Sequence, residues 1–274
     1  MLETNSLEGI INNVLGTKNL AEAAVDFGAA HFLLISTDKA VRPTSVMGAT
    51  KRCCELIVQS IFRKYKGSCR FSAVRFGNVL GSSGSVVPRF ISQIQAGLPV
   101  TVTHPDVTRY FMLIPEAVGL CLQALVMAEG GELFVLNMGE PVKIYEMAVQ
   151  LIQLAGKVPG RDIEIVFSGL KTGEKLYEEL ILEGSEVRTL HEDVFVTIPQ
   201  AFDYEDVLKS ISILVDHAGF GNEEECRRLL WHLAFMGSNG NPGGGIVHSS
   251  ESKIIGNEYS YGSLDETRHS TGLQ

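Results

Sequence analysis

An apolar run, His31 to Ile35, leads directly into Ser36-Thr37-Asp38-Lys39, and this junction limits the possible folds more than any other stretch of the chain. A short uninterrupted apolar segment reads as a strand buried on both faces, the kind found in a parallel sheet. It ends in a hydroxyl, a carboxylate and an amine. In an open α/β sheet, ligands bind beyond the carboxyl ends of the strands, so Thr37, Asp38 and Lys39 stand where chemistry takes place. Pro43 breaks the chain, and the pattern predicts a helix over 45–65 on which Met47 and Lys51, four residues apart, share a face. A second strand, Arg70 to Phe76, completes a strand–helix–strand unit with a parallel crossover.

Around this unit, Ile10–Phe27 has helical periodicity and stops at Gly28. A glycine-serine loop, Gly81–Ser85, opens onto a helix over Val87–Ala96. Short strands are expected at Val100–Thr103 and Glu132–Leu136, and helices at Glu116–Met127, with Pro115 at its start, and at Ile144–Leu154. Ile163–Phe167 and Val194–Ile198 read as strands of a smaller lobe, and Tyr204–Val215 and Glu223–Phe235 as closing helices. The expected class is α/β: a partial Rossmann-like parallel sheet with a smaller C-terminal α+β substrate lobe. Residues 1–140 form an incomplete Rossmann-like catalytic domain with substrate-lobe insertions, and 141–236 the substrate-binding lobe. From 237 to 274 the sequence is first Gly/Asn-rich, then polar and aperiodic, which predicts a disordered tail.

A formal net charge of −9 argues against a general nucleic-acid binder, which needs a basic stripe. It leaves room for a small anionic substrate, since local cations decide that. The sequence holds no apolar run of about twenty residues that spans a membrane, and its acidic, polar start is no signal peptide. Cys53, Cys54, Cys69, Cys121 and Cys226 have neither metal-ligand nor CxxC spacing, so they read as core fillers in a reducing cytosol, and no metal is expected. His104 reads as a loop-forming residue.

The Met47-x-x-x-Lys51 spacing resembles the Tyr-x-x-x-Lys pattern of short-chain dehydrogenase/reductases, with Met in the Tyr position. With Ser36-Thr37-Asp38-Lys39-Ala40-Val41-Arg42-Pro43 upstream, the stretch resembles a narrower group, the polysaccharide-biosynthesis nucleotide-sugar 4,6-dehydratases, whose membrane-anchored branch carries Met there. The resemblance continues through Arg75-Phe76-Gly77-Asn78-Val79-Leu80-Gly81 to Pro88, Val102-Thr103-His104-Pro105, Thr108-Arg109-Tyr110-Phe111-Met112, Asn137 to Lys143, and Gly173-Glu174-Lys175-Leu176-Tyr177-Glu178-Glu179-Leu180. It spans most of residues 3–236.

The resemblance implies a UDP-N-acetylglucosamine 4,6-dehydratase, an extended short-chain dehydrogenase/reductase using NAD rather than NADP. Asp38 is then the acid for the leaving 6-hydroxyl, Lys39 the base near carbon 5, and Thr37 a donor to the 4-oxygen. Lys51 holds the nicotinamide ribose, and Ser36, Arg75 and Asn78 join it at the cofactor. Met47 cannot move a proton, because a thioether is only a weak acceptor; removal of the 4-hydroxyl proton falls to Asp38 or a bound water. Asn78, Val87, Pro88, Arg109, Lys171 and Glu174 are implied at the UDP-sugar. The family usually has Arg and Pro where this chain has Lys171 and Thr172, and lysine binds phosphate as a point charge rather than a fork. Glu174 reads almost equally well as a helix-start carboxylate.

No G-x-G-x-x-G unit following a strand is present. The sequence thus reads as lacking the family's pyrophosphate-binding loop and first strands, cut at an internal methionine, with strand His31–Ile35 left at an unpaired edge. The resemblance further implies a cytoplasmic location, in relatives anchored to the inner membrane, and a homo-oligomer in the full-length protein. Two competing readings are a UDP-sugar 4-epimerase, disfavoured by Met47 and the Asp38–Lys39 pair, and a non-catalytic remnant that binds UDP-sugar or a subunit.

Overall fold

The computed structural model describes residues 2–82, 84–181, 186–197 and 202–236. The expected disordered tail, 237–274, and Ser83 of the glycine-serine loop lie outside the described residues.

A long helical stretch opens the chain: α1 (Ser6–Gly9) and α2 (Gly16–Asp26) flank a π-helical segment, Ile10–Leu15. Strand β1 (His31–Ile35), helix α3 (Val46–Lys64) and β2 (Arg70–Arg75) then form the expected parallel unit, with β1 and β2 in register from His31 opposite Arg70 to Ile35 opposite Val74. β3 (Asn78–Val79), α4 (Val86–Gln95), β4 (Val100–Val102), β5 (Thr108–Arg109), β6 (Phe111–Met112), α5 (Ile114–Met127) and β7 (Leu133–Leu136) follow. The order continues with β8 (Val142–Lys143), α6 (Ile144–Leu154), β9 (Ile165–Phe167), β10 (Glu186–Arg188), β11 (Val194–Thr197), α7 (Tyr204–Gly219) and α8 (Glu223–Ala234).

Among the described residues, the main sheet runs β1-β2-β7-β11-β10, with β1, β2 and β7 parallel and β11 and β10 antiparallel. β1 is its edge. β2 and β7 are almost wholly buried; β7 accordingly is an apolar run without alternation, while β2 also buries Ser72 and Arg75. One face packs on α3, behind which α2, α7 and α8 complete the same core, with Phe71, Leu56, Ile57 and Ile61 fully buried in it, and the other face packs on α5. A satellite core of Phe90, Val100, Val102 and Ile152 joins α4, α6, β4 and β9 into the small lobe.

The expected lobe boundary at 140/141 does not match the strand pairing. Ile165–Phe167 does pair with Val100–Val102 in the small lobe, but Val194–Thr197 joins β7 in the main sheet. The reason lies in β7: every residue of Leu133–Leu136 is buried, so its second edge needs a partner, and β11 supplies one. Likewise α7 and α8 belong to the main core. Nearly every residue of α3 from Val46 to Ile61 is buried, so this helix needs cover on its far side too, and α2, α7 and α8 provide it.

Candidate active site

The turn after β1 is anchored by backbone bonds: Ser36 N donates to Val74 O at 2.7 Å and Asp38 N to Phe76 O at 3.1 Å. Asp38–Ala40 then makes one 3₁₀ turn capped by Thr37. This geometry presents Lys39 to a cleft of about 480 Å³ between the main sheet and the small lobe. Lys39 Nζ donates to Asp38 Oδ1 at 2.8 Å and to Asn78 Oδ1 at 3.2 Å. Thr37 Oγ1 donates to the same Asp38 oxygen at 2.8 Å. Asp38 is fully buried behind the lysine, and its Oδ2 accepts no hydrogen bond. Asn78 comes from β3, held beside Phe111 of β6.

Helix α3 begins at the cleft wall. Ser45 caps it by accepting from Gly48 N, and the carboxylate of Glu3 accepts from Val46 N at 2.6 Å. Met47 lines the cleft, whereas Lys51, one turn further along, donates its Nζ to Ile35 O at 3.1 Å, at the carboxyl end of β1.

The opposite wall carries Arg109, Lys171, Glu174, Lys175 and Glu178. Arg109 is buried; its Nη2 donates to Glu174 Oε1 at 3.0 Å and its Nη1 to Thr108 O at 2.6 Å. Glu174 also accepts from Thr103 Oγ1 at 2.9 Å and from the Lys171 backbone N–H at 3.1 Å, and no helix starts there. Its carboxylate therefore serves a loop and a guanidinium, not a helix dipole. Glu178 is buried, and its Oε1 lies 3.7 Å from both Lys39 Nζ and Arg109 Nε. Burial pushes its carboxyl above the ordinary range; Lys39 pulls the other way, Asp38 adds to the rise, and Arg109 and Lys175 oppose it without cancelling it.

Not every sequence candidate reaches the cleft. Ser36 Oγ donates to Glu55 Oε1 at 2.6 Å, and Arg75 forks onto both Glu55 oxygens at 2.7 and 2.6 Å. Both are spent on a fully buried carboxylate of α3 instead of facing a cofactor. On α4, the residues lining the cleft are Val86 and Arg89, while Pro88 is exposed elsewhere. Positions 86 and 89 are three apart, so they share a helix face that 87 and 88 do not. Glu178, Arg89 and Glu3 were missed by sequence reasoning. Glu178 stood within a quoted motif, but nothing in its spacing marked it as buried. His104 Nδ1 accepts from Asp106 N at 3.1 Å, a loop-forming role.

The model of the family described as "Polysaccharide biosynthesis protein" matches residues 1–199. The chain belongs to that family. Capsular polysaccharide biosynthesis protein CapD of Staphylococcus aureus is 58% identical over 181 residues, 66% of this chain and 30% of that protein. The probable polysaccharide biosynthesis protein EpsC of Bacillus subtilis, at 54%, is likewise matched over 30% of its length, so the chain spans under a third of these two relatives. An uncharacterized membrane protein, MJ1061, of Methanocaldococcus jannaschii is 45% identical over 86% of this chain and 72% of its own. A UDP-glucose 4-epimerase of Rickettsia felis is 32% identical over 84% and 70%. Among solved structures, Pen from Bacillus thuringiensis superposes with a TM-score of 0.66 at 29% identity, covering 78% of this chain and 71% of that one. A dTDP-glucose 4,6-dehydratase from Bacillus anthracis in complex with NAD shares the fold, with a TM-score of 0.55 at 18% identity over 64% and 60% of the chains. This polysaccharide biosynthesis family member therefore has a Rossmann-like α/β fold, shared with these solved structures. No described helix is long and apolar enough to cross a membrane.

Proposed function

We propose that the chain is the catalytic and substrate-holding part of a cytoplasmic nucleotide-sugar 4,6-dehydratase for surface polysaccharide or glycan synthesis. It would convert a UDP-N-acetylhexosamine to the 4-keto-6-deoxy sugar with NAD. The observation that carries this reading is the 2.8 Å Asp38–Lys39 contact at the tip of β1, opening on a cleft whose far wall holds Arg109. Loss of water across carbons 5 and 6 needs a base at one carbon and an acid at the oxygen on the next. Lys39, at the cleft surface, suits the base, and Asp38, buried beside it, suits the acid. Being hydrogen-bonded to each other, they form one acid–base unit, with Lys39 at the cleft and Asp38 behind it. Thr37 orients Asp38 through its hydroxyl, and Asn78 steadies the amine. Arg109 and Lys171 suit the diphosphate, with Arg89 at the rim.

Lys51 fits a nicotinamide ribose. One of its three donors is fixed on Ile35 O at the strand tip, which leaves two for ribose hydroxyls. NAD, when bound, accepts and returns the hydride of the sugar.

A second reading, a UDP-sugar 4-epimerase, is favoured by the name of the Rickettsia relative. Met47 and the Asp38–Lys39 pair count against it, because epimerisation at carbon 4 needs no acid–base pair at carbons 5 and 6. Incubation of the chain with NAD and UDP-N-acetylglucosamine in deuterated water separates the two. The dehydratase gives a product lighter by one water with deuterium at carbon 5. A product of unchanged mass without deuterium would establish the epimerase, and binding without turnover would leave only a binding role.

A further inference from the structure

Glu178 is the single carboxylate, among the described residues, within ion-pairing reach of both Lys39 and Arg109, at 3.7 Å from each through the same oxygen. Its other oxygen, Oε2, is buried and accepts no hydrogen bond, as is Oδ2 of Asp38. Two carboxyl groups thus flank one amine, each with an oxygen left over, and both are shielded from solvent. Buried polar atoms without partners are rare enough to need a reason.

We propose that Glu178 is a positioning residue linking the two ends of the cleft: a diphosphate engaging Arg109 draws one proton from solvent onto Glu178, and the neutral carboxyl loosens its hold on Lys39. The charged and titratable groups facing Glu178 are Lys39 and Asp38 from the turn after β1, Arg109 from β5, and Lys175 of its own segment. Burial and Asp38 already favour the neutral carboxyl, and Arg109 is one of the cations opposing them. A diphosphate that takes up the charge of Arg109 removes part of that opposition, and Oε2, already without a partner, accommodates the proton. Lys39 is then held by Asp38 and Asn78 alone and turns toward the sugar. This role rests on the UDP-sugar reading above.

Calorimetric titration of the full chain with UDP-N-acetylglucosamine, in buffers of different ionisation enthalpy near neutral pH, counts protons taken up on binding; the ligand's diphosphate diester does not titrate there. Uptake of about half a proton or more is expected, lost in Glu178→Gln and retained in Glu178→Asp. Far-ultraviolet dichroism of each variant checks folding, and the Asp variant carries the test if the Gln variant does not fold, since a carboxyl there must keep the uptake. Equal uptake in the folded Gln variant, loss of uptake in the Asp variant, or no uptake in the parent chain overturns the proposal while leaving the substrate reading intact. Absence of binding overturns both.

Discussion

The carbonyl oxygen of Lys39 occupies the space that a side chain on Gly48 would need, so the first turn of α3 packs directly against the turn carrying the acid and the amine. Pro43 Cβ closes the same space, 3.2 Å from the position a Cβ would take. Alanine normally favours a helix over glycine by up to about 1 kcal/mol. Here the obstacle is backbone, which does not give as a flexible side chain does. Gly48→Ala is expected to destabilise the chain by about 1–3 kcal/mol in urea unfolding and to lower turnover further by displacing Lys39.

Glu55 holds Arg75, Arg52 and Ser36 in a dry network, with Arg52 Nη1 at 3.1 Å. Burial alone would raise its carboxyl, but Arg75, then Arg52 and Ser36, outweigh burial and hold it below the ordinary value of 4.5. Its stabilisation is complete above that ordinary value and is lost as the pH falls through the depressed folded one. Glu55→Ala should cost about 3–5 kcal/mol, because two buried guanidinium groups lose their shared counter-charge. It should also flatten the acid limb of the stability curve measured by urea unfolding.

Lys39→Ala is expected to lower sugar turnover by about 10²–10⁴-fold, the usual contribution of a placed acid–base group. UDP affinity should stay nearly unchanged, because in the proposed function the amine addresses the sugar. Equal loss of affinity and turnover would place Lys39 in binding.

Arg109→Lys should weaken UDP-N-acetylglucosamine binding by about tenfold or more, since a point charge replaces a two-pronged donor. The lysine would also give up part of the contact to Glu174 that fixes the 171–174 loop. Calorimetry of the two proteins checks both the affinity and the heat.

All five cysteines are free and buried, and burial pushes the thiol of Cys54 up to about 11. Cys53, its neighbour, is raised as well, again chiefly by burial. Thiol reagents at pH 8 should therefore label the native chain slowly and all five sites only on unfolding.

Local patterns were legible where a segment's neighbours in space are also its neighbours in sequence. β1, α3 and β2 fall within a residue or two of their expected ends, because apolar length, Pro43 and the Ser45 cap act locally. The placement of β11 was not legible. Its apolar run says only that it is a strand; which edge it joins depends on β7, some sixty residues away in the chain. The same limit applies to the site. Lys39 and Met47 were placed at the cleft because a strand tip and one helix turn determine where they point, whereas Thr37 and Asp38 stand behind the lysine. Ser36 and Arg75 looked equally suited to a ligand, and only the fold shows Glu55 between them. Glu178 lies in a segment without regular structure, where no periodicity tells an inward side chain from an outward one.

Thr44 Oγ1 donates to Gly173 O at 2.9 Å, and Lys175 Nζ donates to Val41 O at 2.8 Å. These two stitches tie the far wall of the cleft to the loop that follows Lys39. The wall that carries Arg109 and Lys171 and the loop beside the reactive amine are thereby fixed to each other, so a change that cuts either stitch disturbs both sides of the cleft at once.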